Sequence, residues 1–592
     1  MLKNISRIIL PALLSVLALG CNKDPDWMHP SSRPGNNPET PVPEPEKPAP
    51  GVYVLPLIET TDMHGHLVDT DNNGKVHYHL AYIADKADDI RGHGEERKMD
   101  RLLLLDGGDL YQGASISNLL SGWPMFASLD MMGYDAVALG NHEFDWGIEN
   151  TVDSDSTLPD YEWNGSRIVN DIPVLCANLY KDGSRVSFTS DYTIVEKTAV
   201  GPDGATIPVK IGIVGFAVNY SGSIITTQFN GRGFTIDENY SIANSIASNL
   251  ETSLGCDATI LLIHGQAETA AGNLGSGSPF DLVLGGHSHS TMKGTTAWGL
   301  AYLQGGRYCE HYATAELRFT LDKEDKLSFS GVANMNIPSV NNTRDLHSSP
   351  GQNADDLSEE ILSVSDAALE ATAQQQNDVI GYIATDATTY YLDGSGQRAT
   401  TMGNWMCDII RRIGGADVAF VNAGGIRTTF PLNGQPRRDI TVANVYEMFP
   451  FSNTTYVYRL NYKELLQVFR YALTSGGSSL FSYMSGIDCI FSNGSVQSLV
   501  MNGTTIYSNG TWTGDWASRE VLLSVSEYLA ITSRTDYYTN IANPLVEWNS
   551  TSRLIQNGLI DNENAVQVLR EEAAESGGLL WIDNHPHFIL AQ

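Results

Sequence analysis

Cysteine is scarce in this 592-residue chain: there are six, and no two are spaced as CxxC. That excludes a thiolate zinc site of the usual spacing. Positive charge is scarce too, with 36 Lys and Arg against 69 Asp and Glu, a formal net charge of −33. Such a balance argues against a nucleic-acid binder that neutralises many phosphates. If the substrate is anionic, attraction must come locally, from metal ions and a few arginines, and not from the global field. After the first twenty residues no stretch offers about 20 consecutive apolar residues, the length of a membrane span. No short internal repeat is visible. What the chain does have is length and apolar content, 42% hydrophobic over 592 residues. That is too much for a single core and implies two or more domains. With 18% charged residues and 55 glycines, the composition suits a loop-rich α/β protein.

The N-terminus reads as a secretion signal. Lys3 and Arg7 precede "IILPALLSVLALG", Ile8 to Gly20, which runs directly into Cys21. The apolar stretch is too short for an ordinary span and ends on a small residue. "LALGC" resembles a bacterial lipobox, with Ala18 where Leu is commoner. The resemblance implies a signal peptide over 1–20 and lipidation of Cys21 as the mature N-terminus. Five cysteines then remain, Cys176, Cys256, Cys309, Cys407 and Cys489, an odd number that requires a free thiol or an intermolecular bond. Residues 21–51 are rich in Pro, Ser, Asn and Glu and read as an extended tether. The "NKDPD" after Gly20 and Cys21 resembles surface-export signals of some lipoproteins. The expected location is extracytoplasmic, lipid-anchored to the bacterial outer membrane on its periplasmic face or at the cell surface.

From Val52 to about residue 340, short apolar runs alternate with helical stretches, as in an α/β domain. Asp356 to Ile380 carries apolar residues at helical spacing with acidic residues near its start and reads as a connecting helix within a linker, 341–380. A second α/β segment follows, 381–592.

Five apolar runs in the first segment end on hard or imidazole side chains. "YVLPLIETTDMHGH" delivers Asp62 and His64, "RLLLLDGGDL" Asp109, and "DAVALGNHEFDWG" Asn141, His142, Glu143 and Asp145. "ATILLIHGQ" delivers His264, and "FDLVLGGHSHS" His287 and His289. Open α/β sheets carry their ligand sites at the carboxyl ends of their strands. Asp, His and Asn without Cys suit Zn²⁺, Mn²⁺ or Fe²⁺. Seven ligands, Asp62, His64, Asp109, Asn141, His264, His287 and His289, exceed the needs of one catalytic ion and fit two ions sharing a bridging carboxylate. Asp109, in a Gly-flanked turn, is the natural bridge.

The succession D-x-H, G-D, G-N-H-E and G-H-x-H resembles the calcineurin-like metallophosphoesterases. Further on, "VNAGGIR" and "MFPFSN" resemble the C-terminal substrate domain of the 5′-nucleotidase family, which includes UDP-sugar hydrolases. The resemblance implies a four-layer αββα metallophosphoesterase domain over 52–340, the connecting helix, and a substrate-binding α/β domain over 381–592. It implies one divalent ion on Asp62, His64, Asp109 and His289, a second on Asp109, Asn141, His264 and His287, and a catalytic dyad of His142 and Asp145. His66 would orient a ligand at most from behind it, and His77 and His79 read as surface or pocket-rim residues.

For the substrate, the resemblance implies Phe451 as a first stacking aromatic, Asn453 as a base contact, and Asn422 and Arg427 as substrate contacts. Arg398 lies near the family's first substrate arginine, with a shorter spacing to the "MGN" turn. The last family motif, an aromatic followed by "LANGGDG", is replaced here by "EYLAITSRTDYYT". Tyr528 would supply the second ring, but the Gly-Gly pair is absent and Asp536, the candidate ribose anchor, comes two residues late. Residues with Cβ atoms cannot follow a Gly-Gly backbone freely, so this loop must be rebuilt. The expected activity is hydrolysis of nucleoside 5′-monophosphates, for nucleotide salvage. Alternatives on the same core are a 2′,3′-cyclic-nucleotide phosphodiesterase or a UDP-sugar hydrolase; a non-catalytic nucleotide-binding surface protein is a further one.

Overall fold

The computed structural model describes residues 48–592 except 71–75, 219–228, 230–231, 341–356, 390–398, 452, 475–482, 493–494, 532–541, 550 and 591–592. The signal peptide, Cys21, nearly all of the tether, Arg398 and Asp536 therefore lie outside the described residues.

The first half of the chain builds one hydrogen-bonded path of strands. Gly51–Thr60, Leu103–Asp106, Ala136–Ala138 and Val174–Leu175 run parallel to one another. Thr206–Ala217, Ala258–His264, Leu282–Leu284 and Ala301–Gly305 form a second parallel set. Tyr192–Val200 links the two through the single pair Val54↔Val200. The strands alternate in which core they feed, as the two-residue period of a strand requires. Leu103, Leu105, Leu55 and Leu57 join a cluster that also receives Ile260, Leu262, Leu282 and Leu284 from the second set. Leu102, Leu104, Ile58 and Val137 point the other way, into a core shared with helices His79–Arg91, Trp123–Met132 and Glu359–Asn377. Leu261, Ile263, Val214 and Val283 face helices Ser241–Thr252 and Ala267–Leu274. The order of layers is thus helix, strand, strand, helix, with three apolar cores between them. Because both strand sets are buried on both faces, they read in sequence as continuous apolar runs.

The connecting helix is Glu359–Asn377, and a strand already begins at Val379, so it is shorter at its C-terminal end than the apolar spacing suggests. Leu357, Ile361, Val364 and Ala368 pack it onto the first core. Beyond it, Tyr483–Ser485, Val418–Val421, Glu520–Ser526, Thr454–Asn461 and Leu554–Ile560 make a five-stranded sheet. A second five-stranded sheet ends with Asp488–Ser492 beside Phe588–Leu590. Thr400 caps helix Thr401–Ile413 by accepting from the Gly403 N–H, and a Thr441/Asn444 capping box starts helix Val442–Met448. Each such cap satisfies donors that a helix start would otherwise leave unpaired. No helix among the described residues is long and apolar enough to cross a membrane.

The two strand layers approach closely at Gly215, where an added Cβ would lie 2.2 Å from the Leu175 Cβ. Gly215→Ala is expected to lower unfolding stability by about 1–3 kcal/mol through overpacking. Denaturant unfolding would read this as a lower midpoint, and an unchanged midpoint would show that the layers have slack here.

Candidate metal centre

The carboxyl ends of five parallel strands converge at one edge of the paired layers. Strand Gly51–Thr60 leads to Asp62 and His64, Leu103–Asp106 to Asp109, and Ala136–Ala138 to Asn141. From the facing layer, Ala258–His264 ends on His264, and Leu282–Leu284 leads to His287 and His289. The backbone turns sharply at these ends. Asp62, His64, Asp109, His287 and His289 all have positive φ, between 48° and 70°. That region is unfavourable for side chains with a Cβ, at roughly 1–3 kcal/mol each, and such residues concentrate at functional sites.

Two groups of ligand atoms result. Those of Asp62, His64, Asp109 and His289 lie within 4.8 Å of one another, as do those of Asp109, His264 and His287. Asp109 belongs to both. Its Oδ1 accepts from the His142 backbone N–H at 2.8 Å, while Oδ2 faces His264 Nε2 at 3.2 Å and His64 Nε2 at 3.7 Å. Asn141 Oδ1 joins the second group, 2.8 Å from His287 Nδ1 and 3.1 Å from His264 Nε2.

The protons in this cluster are already committed. His64 Nδ1 donates to the Gln112 carbonyl at 2.6 Å and His264 Nδ1 to the Gly107 carbonyl at 2.7 Å. Carbonyls of this kind fix the tautomer of metal-ligating imidazoles and aim the other nitrogen inward. His264 Nε2 then faces two oxygens, so it must carry a second proton or share a cation with them. The first option shows in its titration. Burial pulls the ring down, but Asp109, with Asp62 and the Gly107 carbonyl, raises His264 to about 10. Burial, aided by nearby positive groups including Arg427, holds His287 near 4 and His289 near 3. Burial also pushes Asp62 up to about 7. Neutral imidazoles and buried carboxylates short of protons are the donor set that a divalent ion satisfies. The residues fit such ions.

His142 and Asp145 lie beside this cluster. His142 Nδ1 meets Asp145 Oδ2 at 2.6 Å, which leaves Nε2 to point elsewhere. Burial disfavours the charged ring, yet the carboxylates of Asp145 and Asp109 raise its pKa. Phe451 stacks on the His142 ring at 5.3 Å, and the Arg427 guanidinium lies 5.1 Å from the Phe451 ring centre. Asn422 is half-buried at the end of strand Val418–Val421. Asn453 is buried, and its carbonyl accepts from the Asp561 N–H. Tyr528 packs against the C-terminal core, whereas Phe451 packs against the N-terminal one.

Three residues support the candidate ligands; the sequence reading named Glu143 without a role and missed Tyr308 and Gln112. Glu143 accepts from the N–H groups of Leu110 (2.8 Å), Gly140 (2.7 Å) and Asp109 (3.1 Å), tying two of the ligand-bearing turns together. It stands within the GNHE run, which was the signal available for it. Tyr308 donates its N–H to the Asp62 carbonyl and sets its ring edge against His64 and His289, at 5.5 Å from each. Gln112 supplies the carbonyl for His64. Nothing periodic marks Tyr308 or Gln112 in sequence. His77 and His79, expected at the surface or at a pocket rim, are buried. Asp69 bonds to His66 at 3.0 Å and lies 3.3 Å from His79, and the His77 ring stacks on that of His79 at 6.0 Å.

A cleft of about 750 Å³ opens beside the centre, lined by His64, His66, Arg427, Arg437, Arg438 and Glu447 among others. Ser115 and Asn118 bridge across it to Glu447 and the Pro450 carbonyl.

Comparison with known proteins adds to this geometry. Residues 379–513 match the model of the 5′-nucleotidase C-terminal domain. The chain is 26% identical to the 5′-nucleotidase of Mus musculus over 487 residues, covering 76% of this chain and 77% of that protein. It is 23% identical over 477 residues to the trifunctional nucleotide phosphoesterase protein YfkN of Bacillus subtilis. That match takes in 76% of this chain but only 30% of the longer relative. In fold it is similar to the crystal structure of a 5′-nucleotidase precursor from Thermus thermophilus, with a TM-score of 0.63 at 18% identity, covering 91% of this chain and 99% of that one.

The three N–H groups on Glu143 make a direct test. A Gln at 143 has one acceptor oxygen and would turn an amide N–H toward donors that now face a carboxylate. Glu143→Gln is expected to cost about 1–3 kcal/mol in unfolding and to hasten metal loss to a chelator. Unchanged stability and unchanged metal retention together would show that Glu143 does not hold the turns.

Proposed function

We propose, from the premise that this chain belongs to the 5′-nucleotidase family, that it hydrolyses nucleoside 5′-monophosphates to nucleoside and phosphate. The observation that carries the reading is the pair of ligand groups sharing Asp109, with His142 and Asp145 at their side. In this reading residues 52–340 bind two divalent ions, Zn²⁺, Mn²⁺ or similar, and residues 381–592 bind the substrate, joined by 341–380. We also place the protein outside the cytoplasm, held to an outer membrane by a lipid on Cys21.

When bound, the ions would supply Lewis-acid charge to the phosphoryl group and acidify a water. The chain does the rest. Asp109 Oδ1 fixes the backbone of His142, so the dyad and the ligand cluster keep one geometry. Asp145 orients His142 and favours its charged form, leaving Nε2–H for the developing charge or the leaving oxygen. Arg427 lends positive charge where the chain as a whole is strongly acidic, and its fork suits phosphate oxygens. Arg398 would join it on the phosphate. Phe451 and Tyr528 would stack on the base, with Asn422, Asn453 and Asp536 as polar contacts. Phe451 already carries His142 and Arg427 against its ring, so stacking on a base requires displacing one of them.

A second reading is favoured by Arg437 and Arg438, which line the cleft beyond Arg427. Three guanidinium groups suit a substrate with more than one phosphate, such as a UDP-sugar.

Analysis of the products (inorganic phosphate, nucleoside, nucleoside monophosphate and sugar phosphate) formed from AMP, UMP, UDP-glucose, 2′,3′-cyclic AMP and an aryl phosphate separates these readings. The expected result is turnover of AMP and UMP that is abolished by a chelator and restored by Mn²⁺ or Zn²⁺. His142→Ala should lower kcat by about 10²–10⁴-fold, while Phe451→Ala should act mainly through KM. Preference for UDP-glucose would select the second reading. Turnover of the aryl phosphate alone would overturn both.

A further inference from the structure

Far along the chain from the Asp109 centre, a second set of metal-type side chains gathers at the edge of the C-terminal sheet. Strand Asp488–Ser492 pairs in parallel with the last strand, Phe588–Leu590, and the turn before that strand reads "DNHPH", Asp583 to His587. His587 Nδ1 lies 2.8 Å from Asp488 Oδ1, and His585 Nε2 lies 3.2 Å from Asp488 Oδ2. One ligand atom from each of Asp488, His585 and His587 falls within 4.8 Å of the others. We propose that Asp488, His585 and His587 form a zinc site that fastens the C-terminal strand to the second half of the molecule.

Several features distinguish this cluster from an ordinary surface ion pair. The first is the carboxylate behind the ligand. Asp583 Oδ2 bonds to His587 Nε2 at 2.9 Å, so Nδ1 is the nitrogen turned toward Asp488. A carboxylate on the far nitrogen of a histidine orients metal-ligating imidazoles and raises their basicity. The second is the rigid support. Asn404, buried on helix Thr401–Ile413, donates through Nδ2 to the carbonyls of Asp583 (3.1 Å) and His585 (2.9 Å). The His585 N–H donates to Asp583 Oδ1 at 2.7 Å, and the His587 carbonyl accepts from the Cys489 N–H at 2.8 Å. Both histidines are therefore held by their backbones before any ion arrives. The third is spacing. Four ligands at about 2.0–2.1 Å on a tetrahedral ion stand roughly 3.3 Å apart, and the separations here are 2.8 and 3.2 Å. The Asp109 centre shows the same close approach, with His264 Nε2 at 3.2 Å from Asp109 Oδ2.

Two imidazoles and a carboxylate, without thiolate, suit zinc. His587 is 12% exposed, Asp488 31% and His585 52%, so the site is anchored inside and open outside, with room for a water as fourth ligand. An ion there would cross-link the final strand, strand Asp488–Ser492 and, through Asn404, helix Thr401–Ile413.

The test is zinc content of the full chain after stripping with a chelator, equilibration with Zn²⁺ and dialysis. The expected result is that His585→Ala holds about one zinc per chain fewer than the unaltered protein, with phosphohydrolase activity unchanged. Because it is a difference, it stands whether or not the Asp109 centre binds metal. Asp583→Asn should keep the site but weaken zinc about 10–100-fold. His585 is half-exposed, so its truncation leaves the fold intact, which far-ultraviolet circular dichroism would verify. Equal zinc in the unaltered protein and His585→Ala would overturn the proposal and leave the cluster a hydrogen-bond network.

Discussion

Asp109 is buried, with two imidazole nitrogens aimed at the same carboxylate oxygen and a backbone N–H holding the other. An uncompensated charge at that depth costs several kcal/mol, and the Nδ1 protons of His64 and His264 are directed at the Gln112 and Gly107 carbonyls instead. Neighbouring Asp62 and Asn141 add further oxygens. The arrangement is stable only if positive charge is brought in, by second protons on the rings or by cations. This electrostatic demand is the constraint on which the proposed chemistry rests, because cations drawn in to meet it would also polarise a phosphoryl group.

The fold meets that constraint by bringing two parallel strand sets together at their carboxyl ends. One set supplies Asp62, His64, Asp109 and Asn141, and the facing set supplies His264, His287 and His289. Neither set holds a complete centre. Close approach of the turns depends on Gly108 and Gly140. A Cβ on Gly108, at φ +93°, would meet the Gly140 nitrogen at 2.8 Å, and one on Gly140 would lie 2.3 Å from Asp109 Oδ1. Glu143 then binds three N–H groups from these same turns. The strained, left-handed backbone at five of the ligand residues is held by the layers behind it, which is how such conformations persist.

Much of this was legible in the sequence. An apolar run that stops abruptly on Asp, Asn or His is a strong signal when it recurs five times, because burial on both faces makes a parallel strand uniformly apolar. The helix–strand–strand–helix layering came from resemblance, and the alternation of Leu102 to Leu105 between two cores shows its physical basis. What the sequence left hidden depends on contacts between distant segments. His77 and His79 read as surface or pocket-rim residues, since nothing local reveals the contact of His79 with Asp69 or the stacking of His77 on His79. Phe451 on His142 joins the two halves of the chain, and no periodicity reports such a contact. Asp488 and His587 meet only because the last strand pairs with Asp488–Ser492. Tyr308 packs its ring on two candidate ligands from a loop with no pattern at all.

In the proposed function one carboxylate, Asp109, serves two ions at once. Electron paramagnetic resonance of the Mn²⁺-loaded protein tests it most directly. Two Mn²⁺ ions bridged by a carboxylate lie roughly 3.5–4 Å apart and are magnetically coupled. The expected result is a coupled-pair spectrum that collapses in Asp109→Asn. A six-line spectrum of isolated Mn²⁺ at full loading would contradict it.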